Sequence, residues 1–335
     1  MKRVTIQDIA GRLQLSRNTV AKALNDGAVS YETKMAVIQT AAEMGYAKLT
    51  SEHRELLRGA AVERKGKDIL VLSGRSKEPF WTYILAGISD ELNGNGYRMI
   101  LHIVDEEDLD AKQTKAMLTP DVAGIIFLTV LPIRFVREFA KTGLPIAFFD
   151  APPQLDEYLE IGDIIYSEGW SAMEHTVQEL IDRGYRSFGY MGYPDGTKSI
   201  HDRQGGYAYT LRQNGIEQDA RYDYTAKVEG DYYDYAVVEQ LVNEMESYPE
   251  VYVCANDAIA KNIATALYKK DPVQEARLVL TGFDHTVEPS FFRQDIYSVD
   301  VNKEDLGRRL AKSVLDRIGK TSEHALITVR SYPDL

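Results

Sequence analysis

The sequence predicts an α/β protein: a three-helix, helix-turn-helix head of about fifty residues, then two lobes of doubly wound parallel sheet. Three observations carry this. Apolar residues repeat at helical spacing in three short segments before residue 46. Beyond residue 67 near-continuous apolar runs alternate with helical stretches, as expected of parallel strands covered on both faces. Charge is also unevenly divided. Residues 1–67 hold 12 Lys+Arg against 7 Asp+Glu, net +5, which leaves −17 on the remainder of a chain of formal charge −12. A basic module on an acidic body suits a polyanionic partner.

At 335 residues the chain accommodates two or three domains. Its longest apolar runs, such as 123–130 (AGIIFLTV), are strand-length, well short of the ~20 residues of a membrane helix. No apolar stretch follows the first basic residues, so no signal peptide is expected. The single cysteine, Cys254, excludes a disulfide within one chain, fits a reducing, cytoplasmic compartment, and reads as a buried core thiol.

In the head, Ile6, Ile9, Ala10 and Leu13 define the first helix, with Thr5 as N-cap and Asp8 three residues on. Ser16 caps the second, whose apolar stripe is Val20, Ala23 and Leu24, and Asn25-Asp26-Gly27 stops it. A third segment runs from Tyr31 through Met35, Val37, Ile38, Ala41, Ala42 and Met44 to Gly45. With the stripe of the second helix inside, Arg17, Asn18, Ala21 and Lys22 face outward. Arg17 can donate two hydrogen bonds to guanine and Asn18 can pair bidentately with adenine. Ser16 and Thr19 suit phosphates, which fix register without reading sequence.

The stretches VTIQDIAGRLQLSRNTVAKALND and VSYETKMAVIQTAAEMGY closely resemble the DNA-binding head of the LacI/GalR family of bacterial transcription regulators. The resemblance implies a DNA-contacting set of Thr5, Ser16, Arg17, Asn18, Thr19, Lys22, Asn25 and Tyr46. Two departures bear on the operator: Leu15-Ser16 replaces the usual Val-Ser, and Lys22 puts a point charge where the family has an arginine fork. The family's hinge helix is altered more, because Tyr46 is followed by AKLTSEHRELLRGAAVERKGKD without Pro-Asn. Thr50 or Ser51 can still cap a helix, and Leu56, with Leu57 beside it, is the candidate for the leucine that wedges into the minor groove. The alternative is an ordinary amphipathic linker with a buried leucine pair.

The body opens with 68–73 (DILVLS) and continues with apolar runs at 97–104, 123–130, 144–149, 187–191, 251–255 and 278–282. About 265 residues of such alternation exceed one sheet and call for two lobes. The motifs Glu78-Pro79-Phe80-Trp81, 180–192 (LIDRGYRSFGYMG), Arg203-Gln204-Gly205-Gly206-Tyr207, Ala255-Asn256-Asp257 and Gly282-Phe283-Asp284 resemble the same family's effector domain, with Glu78 where the family has Asn. The implied fold is periplasmic-binding-protein type I: two similar lobes, crossed three times by the chain, around a ligand cleft. The expected organisation is a head at 1–49, a hinge at 50–67 and an effector and dimerisation domain at 68–335. Its N-lobe would be about 68–165 plus 299–325, and its C-lobe about 166–298 plus 326–335.

Ligands of such sheets sit beyond the carboxyl ends of strands, where Asp150, Asn256, Asp257 and Asp284 fall. Carboxylates with Arg203 match adjacent sugar hydroxyls, and Phe80 and Trp81 offer flat faces to a sugar ring. Tyr232, after Gly230-Asp231, stands where family members place a stacking aromatic. Against these, Arg203 could simply pair with Asp284 across the lobes, Phe80 could be core, and Asp150 a turn residue. The altered Ser167-Glu168-Gly169-Trp170 and the apolar Val301 leave the ligand's identity open, with a nucleobase or nucleoside as the alternative to a sugar.

The function expected is a homodimeric DNA-binding regulator, a repressor of carbohydrate-utilisation genes, bound to palindromic operator DNA and controlled by a small sugar. No cofactor, metal or membrane enters this reading. A transport binding protein should carry a signal peptide and no basic head. A sugar-converting enzyme would need a nucleophile–base or metal-ligand spacing, and Glu78, Glu168, His102 and His175 show none. No heptad tail follows Leu335, so a tetramer built that way is not expected.

Overall fold

The computed structural model describes residues 4–25, 27–44, 46, 48–50, 53, 66–76, 78–104, 114, 116–286, 296–320, 323–330 and 332–333. In the head, α1 (Ile6–Leu13) starts from a reciprocal cap. The Thr5 hydroxyl accepts from Asp8 N at 3.4 Å, and Thr5 N donates to the Asp8 carboxylate at 2.8 Å. Gln14, at φ 55°, turns the chain into α2 (Arg17–Leu24), where Ser16 Oγ accepts from Thr19 N at 3.0 Å. Ser30 caps α3 (Tyr31–Glu43) in the same way. Ile9, Ala10, Val20, Ala23, Leu24, Val37, Ile38 and Ala41 form a core of the head's own, which Tyr46 and Leu49 partly cover. The helical spacing therefore matches the packing, except that Ala42 faces out.

The body runs β1 (Asp68–Gly74), α4 (Pro79–Gly94), β2 (Arg98–Val104), β3 (Val122–Phe127), α5 (Ile133–Ala140), β4 (Ile146–Phe149), α6 (Asp156–Leu159) and β5 (Asp163–Ser167). It continues with α7 (Trp170–Asp182), β6 (Phe188–Met191), α8 (Lys198–Gln213), β7 (Asp223–Tyr224), α9 (Tyr235–Glu244), β8 (Val251–Cys254), α10 (Asp257–Lys270), α11 (Pro272–Glu275) and β9 (Val279–Phe283). The last elements are β10 (Tyr297–Asp300), α12 (Lys303–Arg317), β11 (Leu326–Val329) and β12 (Tyr332–Pro333).

Two six-stranded sheets result, in the orders β11-β5-β4-β3-β1-β2 and β12-β10-β9-β8-β6-β7. Among the described residues every pairing is parallel except β10 with β12. β3, β4, β6, β8 and β9 are buried throughout, which is why they read as apolar runs: helices cover both faces. Cys254, at the end of β8, is buried, and burial pushes its thiol well up.

The chain changes sheet between β5 and β6, between β10 and β11, and between β11 and β12. The register corrects the expected lobe boundaries. Val299 pairs with Phe283, so β10 belongs to the second sheet, and Leu326 pairs with Ile164, so β11 belongs to the first. Hydrophobicity alone cannot reveal which sheet accepts such a short strand. Helix α12 returns to the first lobe against α4, so closely that a Cβ on Gly87 would lie 2.0 Å from Glu304 O and one on Gly307 2.2 Å from Ile84 O. Asp163 at the start of β5 locks it there, accepting from Arg317 Nε at 2.6 Å, Ser313 Oγ at 2.5 Å and Ala325 N at 2.7 Å.

Candidate DNA-facing helix and inter-lobe cleft

Helix α2 buries Val20, Ala23 and Leu24 and leaves Ser16, Arg17, Asn18, Lys22 and Asn25 exposed. Three of the expected DNA-facing residues also hold the head together. The Thr5 hydroxyl closes α1, Asn25 Nδ2 donates to Ala21 O at 2.9 Å, and half-buried Tyr46 packs on the head core. The Ser16 and Thr19 hydroxyls lie 2.8 Å apart. Past the head, Thr50 Oγ1 accepts from His53 N at 3.1 Å, the geometry of an N-cap. Leu56 and Leu57 lie outside the described residues.

Between the lobes, at the carboxyl ends of β1, β3, β4, β6, β8 and β9, lies a cleft of about 390 Å³. Seven of the eight expected effector residues line it: Phe80, Trp81, Asp150, Arg203, Tyr232, Asn256 and Asp284. The eighth, Asp257, does not. It is fully buried and turned into the second lobe, where Oδ1 accepts from Ser298 Oγ and Oδ2 from Thr286 N, each at 2.6 Å. Placed in the first turn of α10, it ties the helix to β10 instead of facing the cleft.

Arg203 projects from α8 and is 5% exposed. One guanidinium nitrogen donates to Ala255 O at 2.7 Å, and the group lies 3.6 Å from the centre of the Phe283 ring. Its Nε has no hydrogen-bond partner among the described residues. Gly169 makes room for this side chain, since a Cβ there would sit 2.6 Å from Arg203 Cγ. Asp284 faces Arg203 at 3.6 Å from within the same lobe, so the pair does not cross the cleft as the sequence allowed.

Asp284 itself is 9% exposed, sits at φ 97° and leaves Oδ1 without a hydrogen bond among the described residues. Burial pushes its carboxyl up to about 6. Arg203 works against that shift and the nearby Asp257 adds to it. Unsatisfied buried polar atoms and left-handed backbone at a non-glycine are costs that folding alone does not repay. Both occur here, facing the cleft.

Asp150, at φ 64° beyond β4, has its oxygens engaged. It accepts from Ala151 N at 2.8 Å and from both the amide, at 3.3 Å, and the hydroxyl of Ser199. Ala151 O also accepts from Lys198 N at 2.7 Å. Asp150 is thus a latch between the first lobe and the start of α8, and burial, offset in part by these bonds, raises its pKa. Asn256 caps α10 and donates to Tyr233 Oη at 3.0 Å. The Tyr232 hydroxyl donates away from the cleft, to Ala226 O at 2.7 Å, so only its ring serves the wall.

Phe80 and Trp81 meet edge to face at 5.2 Å, and both pack on Phe149, at 5.7 and 5.6 Å. Phe149, Ser199 and Tyr233 were not singled out from the sequence. Phe149 could have been, as the residue that ends an apolar strand just before Asp150. Ser199 and Tyr233 enter through long-range packing, which leaves no local signal.

Comparison with known proteins agrees with this architecture. The profile of periplasmic binding proteins and sugar-binding domains of the LacI family matches residues 66–333. The probable HTH-type transcriptional regulator EndR of Paenibacillus polymyxa is 24% identical over 329 residues, covering 95% of this chain and 92% of that protein. The ribose operon repressor of Bacillus subtilis strain 168 is 26% identical over 323 residues, 94% of this chain and 92% of the repressor. Among solved structures, the complex of the transcriptional regulator CelR with cellobiose superposes with a TM-score of 0.70 at 19% identity, over 99% of both chains.

Proposed function

From the premise that this chain belongs to the LacI family, whose effector-domain profile spans residues 66–333, we propose that it is a sequence-specific DNA-binding transcriptional repressor controlled by a small polyol. One observation carries the reading: a capped helix-turn-helix with Arg17 and Asn18 exposed shares a chain with a cleft where Arg203 Nε and Asp284 Oδ1 are buried and unpartnered. Relatives similar along nearly their whole length are named as regulators, one of them an operon repressor, and a structural neighbour holds cellobiose.

The head, 1–49, reads DNA with Arg17 and Asn18 at base edges and with Ser16, Thr19 and Lys22 toward phosphates. Thr5, Asn25 and Tyr46 shape the head beside them. Residues 50–67 form the hinge, with Leu56 the wedge into the minor groove. A homodimer presents two heads to a palindromic operator in the cytoplasm. No described helix is long and apolar enough to cross a membrane.

In the cleft, Arg203, Asn256 and Asp284 bind hydroxyls while Phe80, Trp81 and Tyr232 flank the ring. Asp150 couples occupancy to the angle between lobes, because its bonds to Ser199 span them. Closure shifts the hinge and the spacing of the heads, which is the coupling between ligand and DNA. The test is selection of bound duplexes from a random pool by the full chain, followed by release with a sugar library. Enrichment of a two-fold site, released by one sugar, is expected. Recovery of no common sequence overturns the proposal, and release by a nucleoside alone would replace the polyol.

A further inference from the structure

Among the described residues the cleft walls carry four carboxyl groups, Glu78, Asp150, Asp231 and Asp284, against two guanidinium groups, Arg75 and Arg203. Local bonds engage two of the acids. Asp150 holds Ser199 and Ala151 N, and Asp231 accepts from Tyr233 N at 3.2 Å. Glu78 and Asp284 remain. Glu78 stands at the N-cap position of α4 yet makes no capping bond with its side chain. Asp284 Oδ1 is buried without a hydrogen bond. The cations beside it are engaged elsewhere: Arg203 stands 3.6 Å away, held by Ala255 O and the face of Phe283, and the Lys303 ammonium, which also works against the rise, donates to the carbonyls of Asp284, at 2.5 Å, and Val301, at 3.1 Å.

The two acids come from opposite lobes, one on α4 and the other beyond β9. Glu78 contributes to raising Asp284, while Glu78 is itself raised chiefly by burial, with exposed Lys261 opposing and Asp257 adding to the rise. A buried and a half-buried carboxyl lining one cleft, with the cations beside Asp284 already engaged, favour a ligand that brings its own cation. A neutral polyol would satisfy hydrogen bonds but leave the charge uncompensated, and an anionic sugar would be repelled.

We propose that the effector bears an ammonium group, an amino sugar in chemical class, held between Glu78 of the first lobe and Asp284 of the second. An ammonium has three donors and no acceptor, which fits two opposed carboxylates, and its binding draws the lobes together. The inference rests on the reading of this cleft as the effector site.

Calorimetric titration of the full chain at pH 7 tests it, with glucosamine, galactosamine and mannosamine set against their neutral parents, their N-acetyl forms, glucose 6-phosphate and glucuronate. One amine should bind at least about ten-fold tighter than its neutral and acetylated counterparts, and the anions should not bind. The near-isosteric Glu78→Gln should reduce that preference to within about three-fold while the melting temperature holds or rises. Equal or tighter binding of a neutral or anionic sugar overturns the proposal, as does a preference untouched by Glu78→Gln. If a neutral sugar binds and Arg203→Ala removes its binding, the ammonium proposal falls while the polyol reading stands. If nothing in the panel binds, both fall.

Discussion

Asp284 is held in an unfavourable state, and its cost has a sign that can be measured. A carboxyl at about 3.9 in the unfolded chain and about 6 in the fold keeps its proton longer when folded. Stability therefore falls as pH climbs through that window and stays lower above it. Two pH units correspond to ~2–3 kcal/mol. Asp284→Asn should raise the melting temperature at pH 7, leave it nearly unchanged at pH 4, and abolish the response to ligand. A variant less stable than wild type at pH 7 would mean that the charge is structural, through Arg203 and Lys303. Arg203→Ala should likewise lose effector response while operator binding stays near normal. It should also melt lower, because Ala255 O is left without its donor, at ~1–3 kcal/mol. Loss of DNA binding without any ligand would make Arg203 a structural residue only. In the head, Arg17→Ala should relax preference at one base of each half-site, by ~1–3 kcal/mol. Equal loss on specific and random duplexes would remove Arg17 from base reading.

Elements that lie far apart in sequence are joined by buried charge. Asp163 and Arg317, 154 residues apart, fix α12 and β5 in one lobe, with side chains only 6% and 11% exposed. Burial alone would raise the Asp163 pKa, but hydrogen bonds from Arg317, Ser313 and Ala325 N outweigh it and hold the carboxyl low. Its contribution is thus present above the unfolded pKa and is lost as acid titrates it in the fold. Arg317→Met, which strands that charge, should cost ~3–5 kcal/mol in urea unfolding at pH 7, and the double variant with Asp163→Asn should recover part of it. A cost below ~1 kcal/mol would contradict the pairing account. The same pair shows where sequence reading stops. β3, β4 and β8 are legible because both faces are apolar, and the three head helices because Thr5, Ser16 and the spacing of Ile9, Val20 and Ile38 mark them locally. β5 was not recognised, since it opens on an aspartate whose partner is remote, and β7, β11 and β12 are too short or too exposed to show periodicity. In the cleft, the motif residues Arg203, Asn256 and Asp284 were legible, while the inward turn of Asp257 and the bond of Asp150 to Ser199 depend on how helices meet strands. Spacing along the chain carries neither.

At the scale of the whole molecule, charge separation sets how DNA binding should respond to salt. Net +5 within residues 1–67, on a chain of −12, leaves the body repelling the polyanion that the head attracts. Affinity must then come from a few phosphate contacts, each releasing condensed counterions, and log K should fall linearly with log salt at about −0.9 per neutralised phosphate. A single substitution can count the heads. Lys22 is exposed on α2, and Lys22→Gln removes one such contact per head. A chain binding its operator as a homodimer should therefore shift the slope by about +1.8, and a chain binding through one head by about +0.9. Fluorescence anisotropy of a labelled operator between about 50 and 200 mM salt resolves the two values. The larger shift, with affinity lost equally on specific and random duplexes, places Lys22 on phosphate in both halves of a palindrome. An unchanged slope would remove it from the interface and, with it, the electrostatic account of the head.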